Sequence, residues 1–210
     1  MKDICPLCTA PSSTFFKDNN QHFLLCPNCT GIFRDRHELL HIQDEKERYL
    51  HHKSDVKDMG YLKFVSPIIK QVQHYFGEGA RGLDYGCGHT PVLSEHLKKE
   101  AYTMSHFDPL FFNDISLINK QYEFIVCCEV MEHFYHPLTE FKKLYKSLLP
   151  GGKLICKTHL FEKEIDFESW YYKNDPSHDF IYQDKTIEWI KGFCDFKYAE
   201  ISDRVITFSK

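Results

Sequence analysis

The sequence predicts an α/β fold, a mostly parallel sheet with helices on both faces, preceded by a small metal-held ribbon. Three observations carry this. Residues 81–99 run as strand, tight glycine turn and helix. Five further apolar runs, at 102–107, 123–128, 148–155, 196–201 and 205–209, read as strands with helical runs among them. Two Cys-x-x-Cys pairs stand within the first thirty residues.

Composition removes several classes. The 210 residues are 42% hydrophobic and 27% charged, values of a globular chain and not of a disordered one. No run approaches eighteen apolar residues, so no membrane span is expected. The opening Met1-Lys-Asp-Ile-Cys5 has no signal-peptide core, and a cytoplasmic location is expected. Net charge is −4, and residues 1–60 hold eight basic and nine acidic groups. A nucleic-acid footprint needs clustered Lys and Arg, so a nucleic-acid partner is not expected.

The ribbon comes first. Cys5-Pro-Leu-Cys8 and Cys26-Pro-Asn-Cys29 each fit a tight knuckle whose two thiols face one ion. Between them Phe15-Phe16 and His22–Leu25 read as short strands, and Phe33 follows as a cover. Four thiolates fill a tetrahedral zinc shell and leave no open position, so Zn2+ here is structural. The segment resembles a zinc ribbon. About thirty residues bury too little to fold alone, so the metal supplies the folding free energy. The following domain, with its own core, is expected to fold without it.

Residues 35–60 read as a helical connector, poor in Gly, Pro and Ser and ending at His51-His52. Tyr61, Leu62, Val65, Ile68, Ile69, Val72 and Phe76 repeat at helical spacing, with Ser66-Pro67 either starting a new helix or kinking a longer one. Gly77 and Gly79 stop it. Leu83-Asp84-Tyr85-Gly86-Cys87-Gly88 then forms the glycine turn, which lets backbone approach a bound nucleoside. Pro91 replaces the third glycine of a dinucleotide loop, and Asp84 suits an ammonium better than a pyrophosphate.

With these residues in place the chain resembles the class I S-adenosylmethionine-dependent methyltransferases. Besides the glycine turn, Asp108 closes the next strand, Glu123–Phe134 matches the fourth strand with its Glu132-His133, and Leu148–Ile155 matches the turn into the fifth. The match covers residues 60–158. More narrowly, Tyr49–His52, Gly60-Tyr61 and Trp170–His178 resemble bacterial methyltransferases that carry an N-terminal zinc ribbon. The resemblance implies a Rossmann-like sheet in residues 61–210, with a lid insertion at about 159–182 and residues 1–34 as the ribbon. Only fourteen residues, 109–122, separate Asp108 from the next strand, too few for a helix–strand excursion. The third strand of the family is therefore expected to be missing, giving the order 2-1-4-5-7-6.

The resemblance also assigns roles. S-adenosyl-L-methionine is the expected cofactor. Asp84 would face its ammonium, directly or through water, Gly86 and Gly88 would give backbone access, and Asp108 would clasp the ribose diol. Pro109, Leu110 and Phe111 would pack on adenine with Asn113 or Asp114 nearby, and Cys128-Glu129 would border the donor. Transfer from a sulfonium needs positioning, and a base only if the acceptor carries a proton. His133 and His178 are the base candidates, with a helix-capping role for His133 left open. Trp170, Tyr171, Tyr172 and Asp175 would wall a small-molecule acceptor, or form a lid that only excludes water. Two other readings stay open: an RNA methyltransferase using the ribbon as a clamp, and a non-catalytic adaptor with a vestigial nucleoside fold.

Overall fold

A computed structural model describes residues 3–40, 42–51 and 59–210. Three short antiparallel strands open it, β1 (Ser13–Lys17), β2 (His22–Leu25) and β3 (Ile32–Arg34). Helix α1 (Ile42–His51) lies within the predicted connector; His52 and the stretch to Ser54 fall outside the described residues. Helix α2 (Met59–Tyr75) continues straight through Pro67. Proline has no N–H for the carbonyl four residues back. That carbonyl, on Lys63, instead accepts from Ser66 Oγ at 2.8 Å. Val65, Ile68, Ile69 and Val72 bury the inner face of the helix against the sheet.

The sheet follows from β4 (Arg81–Tyr85), β5 (Thr103–Phe107), β6 (Tyr122–Cys128), β7 (Leu148–Lys157), β9 (Tyr198–Ser202) and β10 (Val205–Ser209). Its order is β5-β4-β6-β7-β10-β9, with β5, β4, β6 and β7 parallel and β10 antiparallel to both its neighbours. This is the expected 2-1-4-5-7-6, with no third strand. Residues 108–121 hold only a bridge between Asp108 and Phe112 and the one-turn helix α4 (Ile115–Ile118). Helices α3 (Val92–Lys99), α5 (Pro137–Lys146) and α6 (Asp184–Phe193) complete the layers. The order reverses between β4 and β6, and a ligand crevice belongs outside the carboxyl ends of the strands there. Among the described residues no helix is long and apolar enough to cross a membrane.

The ribbon does not stand apart, contrary to the expectation that it folds separately. Strand β8 (Phe180–Ile181), at the end of the insertion after β7, pairs antiparallel with β3 and makes the ribbon a four-stranded sheet, β1-β2-β3-β8. Cys5, Leu7, Leu24, Cys26, Cys29 and Phe33 share one continuous core with Phe180, Tyr182, Phe141, Ile187 and the underside of the main sheet. The Phe180 ring lies so close over Gly31 that a Cβ there would sit 2.1 Å from its Cζ. Only glycine fits. Arg34, 3% exposed, reaches from β3 into the insertion, donating to the carbonyls of Lys173 and Asp175 at 3.1 Å each. A second cluster gathers Phe23 and Ile32 with Phe167, Trp170, Tyr172 and Ile181.

Candidate active site

The two knuckles are built alike. Thr9 N–H bonds the Cys5 carbonyl and Thr30 N–H the Cys26 carbonyl, both at 3.0 Å, and Thr9 and Thr30 take left-handed φ of 60° and 58°. This turns the second thiol of each pair toward the first. Sγ atoms of Cys5 and Cys29 lie 3.6 Å apart, those of Cys8 and Cys26 3.2 Å, and all four lie within 4.8 Å of one another. Arms of 2.3 Å at tetrahedral angles would put zinc-bound sulfurs about 3.8 Å apart. Without a cation the thiols cannot all ionise: the bond from Cys29 lowers Cys5 to about 6, while burial and the neighbouring sulfur raise Cys29 and Cys26. The donor set fits a closed Zn2+ site.

At the switch point a cavity of about 700 Å³ opens above the ends of β4, β5 and β6. Gly86 and Gly88 form one edge with φ of +78° and +65°. A Cβ on Gly86 would strike Val130 at 2.5 Å, whereas one on Gly88 would meet nothing within 4 Å. Backbone is thus bare where a ligand can approach. Asp108 fastens this edge: Oδ2 accepts from Gly88 N–H at 2.9 Å, and Oδ1 from Leu110 and Phe111 N–H at 2.8 and 3.1 Å. Each oxygen keeps further lone-pair capacity on the cavity side.

Some residues predicted for the donor stand elsewhere. Asp84 lies beneath the turn, not on the cavity wall, and accepts from Ser94 N–H and Oγ at 3.2 and 3.1 Å. Its burial raises it to about 7. Pro109 and Leu110 line the cavity, but Phe111 turns to His89, ring centres 5.8 Å apart. Asp114 caps α4 through Ser116 N–H, and neither it nor Asn113 reaches the wall. Cys128 packs into the core beside α2, leaving Glu129, with φ of 52°, and Val130 as wall residues. Lys157 at 2.9 Å and Arg204 at 3.1 Å hold the Glu129 carboxylate.

At the other end of the cavity stands His133, and His178, a wall residue of a smaller cavity, packs on it with ring centres 5.0 Å apart. His133 Nδ1 lies 2.7 Å from the Ser177 carbonyl, and His178 Nδ1 lies 2.7 Å from the Tyr172 carbonyl. A carbonyl can only accept, so both Nδ1 atoms carry hydrogen and both Nε2 atoms carry lone pairs. Burial lowers both histidines, His133 to about 4. Beneath them Glu132 is fully buried, accepting from Tyr172 Oη at 2.6 Å and Thr158 Oγ1 at 3.1 Å. Its burial, with Glu129 nearby, raises it to about 8.

The acceptor wall also differs in detail. Tyr172, Asp175 and His178 line a second cavity of about 460 Å³, which shares Glu129 with the first as a wall residue, and exposed Tyr171 borders it. Trp170 does not; it is 6% exposed among Phe161, Phe167 and Tyr172. Asp175 accepts from Ser177 and pairs with Arg48 on α1 at 3.2 Å, which keeps it low, at about 2. Sequence reasoning missed Glu132, Thr158, Lys157 and Arg204 as site residues. Glu132 had a signal, an acid beside His133 at a strand end. Arg204 had none, because it arrives from a hairpin 75 residues from Glu129.

Residues 36–198 match a family described as methyltransferase domain, more than half of the chain. The chain belongs to this family. Solved structures agree in fold. An S-adenosylmethionine-dependent methyltransferase from Archaeoglobus fulgidus is 15% identical with a TM-score of 0.53, over 70% of this chain and 94% of that chain. The 1,6-didemethyltoxoflavin-N1-methyltransferase of Burkholderia thailandensis, solved with 1,6-didemethyltoxoflavin and S-adenosylhomocysteine, is 10% identical with a TM-score of 0.53, over 94% of this chain and 99% of that chain. An O-methyltransferase family protein, also from Burkholderia thailandensis, is 13% identical with a TM-score of 0.54, over 79% of this chain, which spans 61% of its length. No curated protein matches the chain.

Proposed function

We propose that this methyltransferase moves a methyl group from S-adenosylmethionine to a small-molecule acceptor, and that Cys5, Cys8, Cys26 and Cys29 hold a structural Zn2+. The observation that carries the reading is the cavity at the switch point, with bare glycine backbone and Asp108 at one end and the His133 imidazole at the other, His178 standing behind it. Its volume is that of a small-ligand site. Family membership supports the chemistry, and the bound pair in the toxoflavin-precursor enzyme is an example of this fold accommodating donor product and small acceptor together.

The donor supplies an electrophilic methyl on a sulfonium, so the protein's share is to bind, orient and exclude water. Gly86 and Gly88 let the donor approach backbone, and Asp108 accepts hydrogen bonds from its ribose hydroxyls. Pro109 and Leu110 offer an apolar face to adenine. Asp84, beneath the turn, acts on the ammonium through intervening groups. His133 and His178 present unprotonated Nε2 atoms where an acceptor's proton would be released. Tyr172 and Asp175 hold that end rigid.

Titration calorimetry on the zinc-loaded protein tests this. S-adenosylmethionine and S-adenosylhomocysteine should each bind once per chain and NAD should not. Failure of both to bind would sink the proposal.

A further inference from the structure

Three side chains at the acceptor end converge in a way that proton transfer does not require. One ring nitrogen of His133, one ring nitrogen of His178 and a carboxylate oxygen of Glu132 all lie within 4.8 Å of one another. Neither Nε2 has a hydrogen-bond partner among the described residues, and His178 is only 9% exposed. All three groups are fixed from behind. The Nδ1–H of each ring is committed to a backbone carbonyl at 2.7 Å, and Glu132 is held by Tyr172 and Thr158. Histidine ligands of metal ions characteristically donate their far N–H to a carbonyl or carboxylate, and ligating carboxylates are hydrogen-bonded in turn.

Two imidazole lone pairs face a buried carboxyl group, which gives up its proton when a dication binds. Neither imidazole can donate to the other without becoming an imidazolium. A dication satisfies all three at once. We propose that Glu132, His133 and His178 form a second metal site, distinct from the thiolate cluster, for a divalent first-row transition ion. Two imidazoles and one carboxylate suit such ions better than the oxygen-seeking Mg2+ or Ca2+. Bond lengths near 2.1 Å would draw the three donor atoms to about 3.0–3.5 Å separation.

Three protein ligands leave open positions, and His133 lines the large cavity while His178 lines the smaller one beside it. Those positions face the place proposed for the acceptor. The ligand they would take is an acceptor oxygen, from a hydroxyl, phenol or enol, whose acidity the ion would raise so that its proton passes to solvent; the bound ion then stands in for the imidazole base. This last step rests on the methyl-transfer reading; the ion site does not.

The test uses full-length protein, freed of loosely held metal and checked to retain one zinc per chain. Thiolates select zinc over Mn2+, so added Mn2+ reports on the second site alone. Electron paramagnetic resonance should find one bound Mn2+ per chain with nitrogen hyperfine coupling from imidazole. Water-proton relaxation should show exchangeable positions on the ion. Co2+ should give a visible spectrum without thiolate charge transfer. Glu132→Gln, which keeps the size and one accepted hydroxyl bond while its NH2 must donate where the second oxygen accepted, should weaken binding at least about tenfold, as should His133→Ala and His178→Ala. Melting curves on the same samples check folding, and the nitrogen coupling identifies the ligands without any variant. Neither ion binding beyond the ribbon zinc, or binding without nitrogen coupling, would overturn the site. A bound Mn2+ with no exchangeable water would overturn its role toward the acceptor. Loss of donor binding in calorimetry, with Mn2+ still bound, would sink methyl transfer and leave the metal site standing.

Discussion

Phe180→Ala should destabilise the whole molecule and not the insertion alone. The Phe180 ring is fully buried, covers Gly31 of the second knuckle, and packs on Tyr182 and Phe33 at ring-centre distances of 4.7 and 6.2 Å. It sits where ribbon, insertion and main sheet meet in one core. Truncating a buried phenylalanine costs about 3–5 kcal/mol, as lost transfer energy plus the cavity left behind. In a protein of this size each kcal/mol lowers the melting temperature by about 2–4 °C, so a drop of roughly 6–20 °C is expected. The assay is thermal and denaturant unfolding of the zinc-loaded protein, with zinc release to a chelator followed on the same samples. One transition should remain, shifted, and the zinc should leave faster. A loss under about 1 kcal/mol, or a ribbon transition separating from an unshifted main one, would refute the shared core.

If Asp108 holds the donor ribose as proposed, Asp108→Ala should remove a charge-assisted contact of about 1.5–3 kcal/mol and weaken S-adenosylmethionine roughly ten- to a hundred-fold by calorimetry; unchanged affinity would place the ribose elsewhere. Gly86→Ala forces a side chain into a backbone with φ of +78° and onto Val130 at 2.5 Å, so donor binding should fall together with stability in paired binding and melting measurements. Asp84 ionises more readily unfolded than folded, because burial raises its folded value to about 7. Its contribution is therefore present below about pH 4 and lost as pH rises through about 7; melting temperatures of Asp84→Asn should decline less between pH 5.5 and 7.5 than those of the parent. Trp170→Ala empties a buried aromatic site away from the cavities, so activity per folded molecule should stay level while the melting temperature falls.

The order of the main sheet was legible because each strand carries its own local mark: glycines after β4, Asp108 after β5, Glu132-His133 after β6, Pro150-Gly151-Gly152 at the start of β7. The missing third strand followed from a residue count. The ribbon's thiols were legible for the same reason, since spacing alone specifies a knuckle. What stayed hidden depends on distant pairing. Phe180-Ile181 is too short to read as a strand, and nothing near it announces β3, about 150 residues earlier, as its partner. Trp170 and Tyr172 showed the same limit: an aromatic run predicts burial but not the surface against which it is buried. Asp84 was read as facing a ligand, while Ser94 of α3, ten residues on, claims its carboxylate. His133 and His178 were each found singly, and the carbonyls that fix their tautomers have no sequence signature.

The pairing of β3 with β8 also bears on synthesis. The knuckles emerge from the ribosome well before the strand that covers their sheet edge, which is encoded about 150 residues later. At about 5–20 residues per second, that gap lasts roughly 7–30 s. Throughout it the nascent ribbon carries an unpaired edge and the uncovered apolar faces of Leu24 and Phe33, a template for wrong partners. An ion captured early would hold the thiols away from oxidation and the hairpin in register until Phe180 arrives. On the proposed zinc site, zinc supply during translation, and not only in the finished protein, would govern yield.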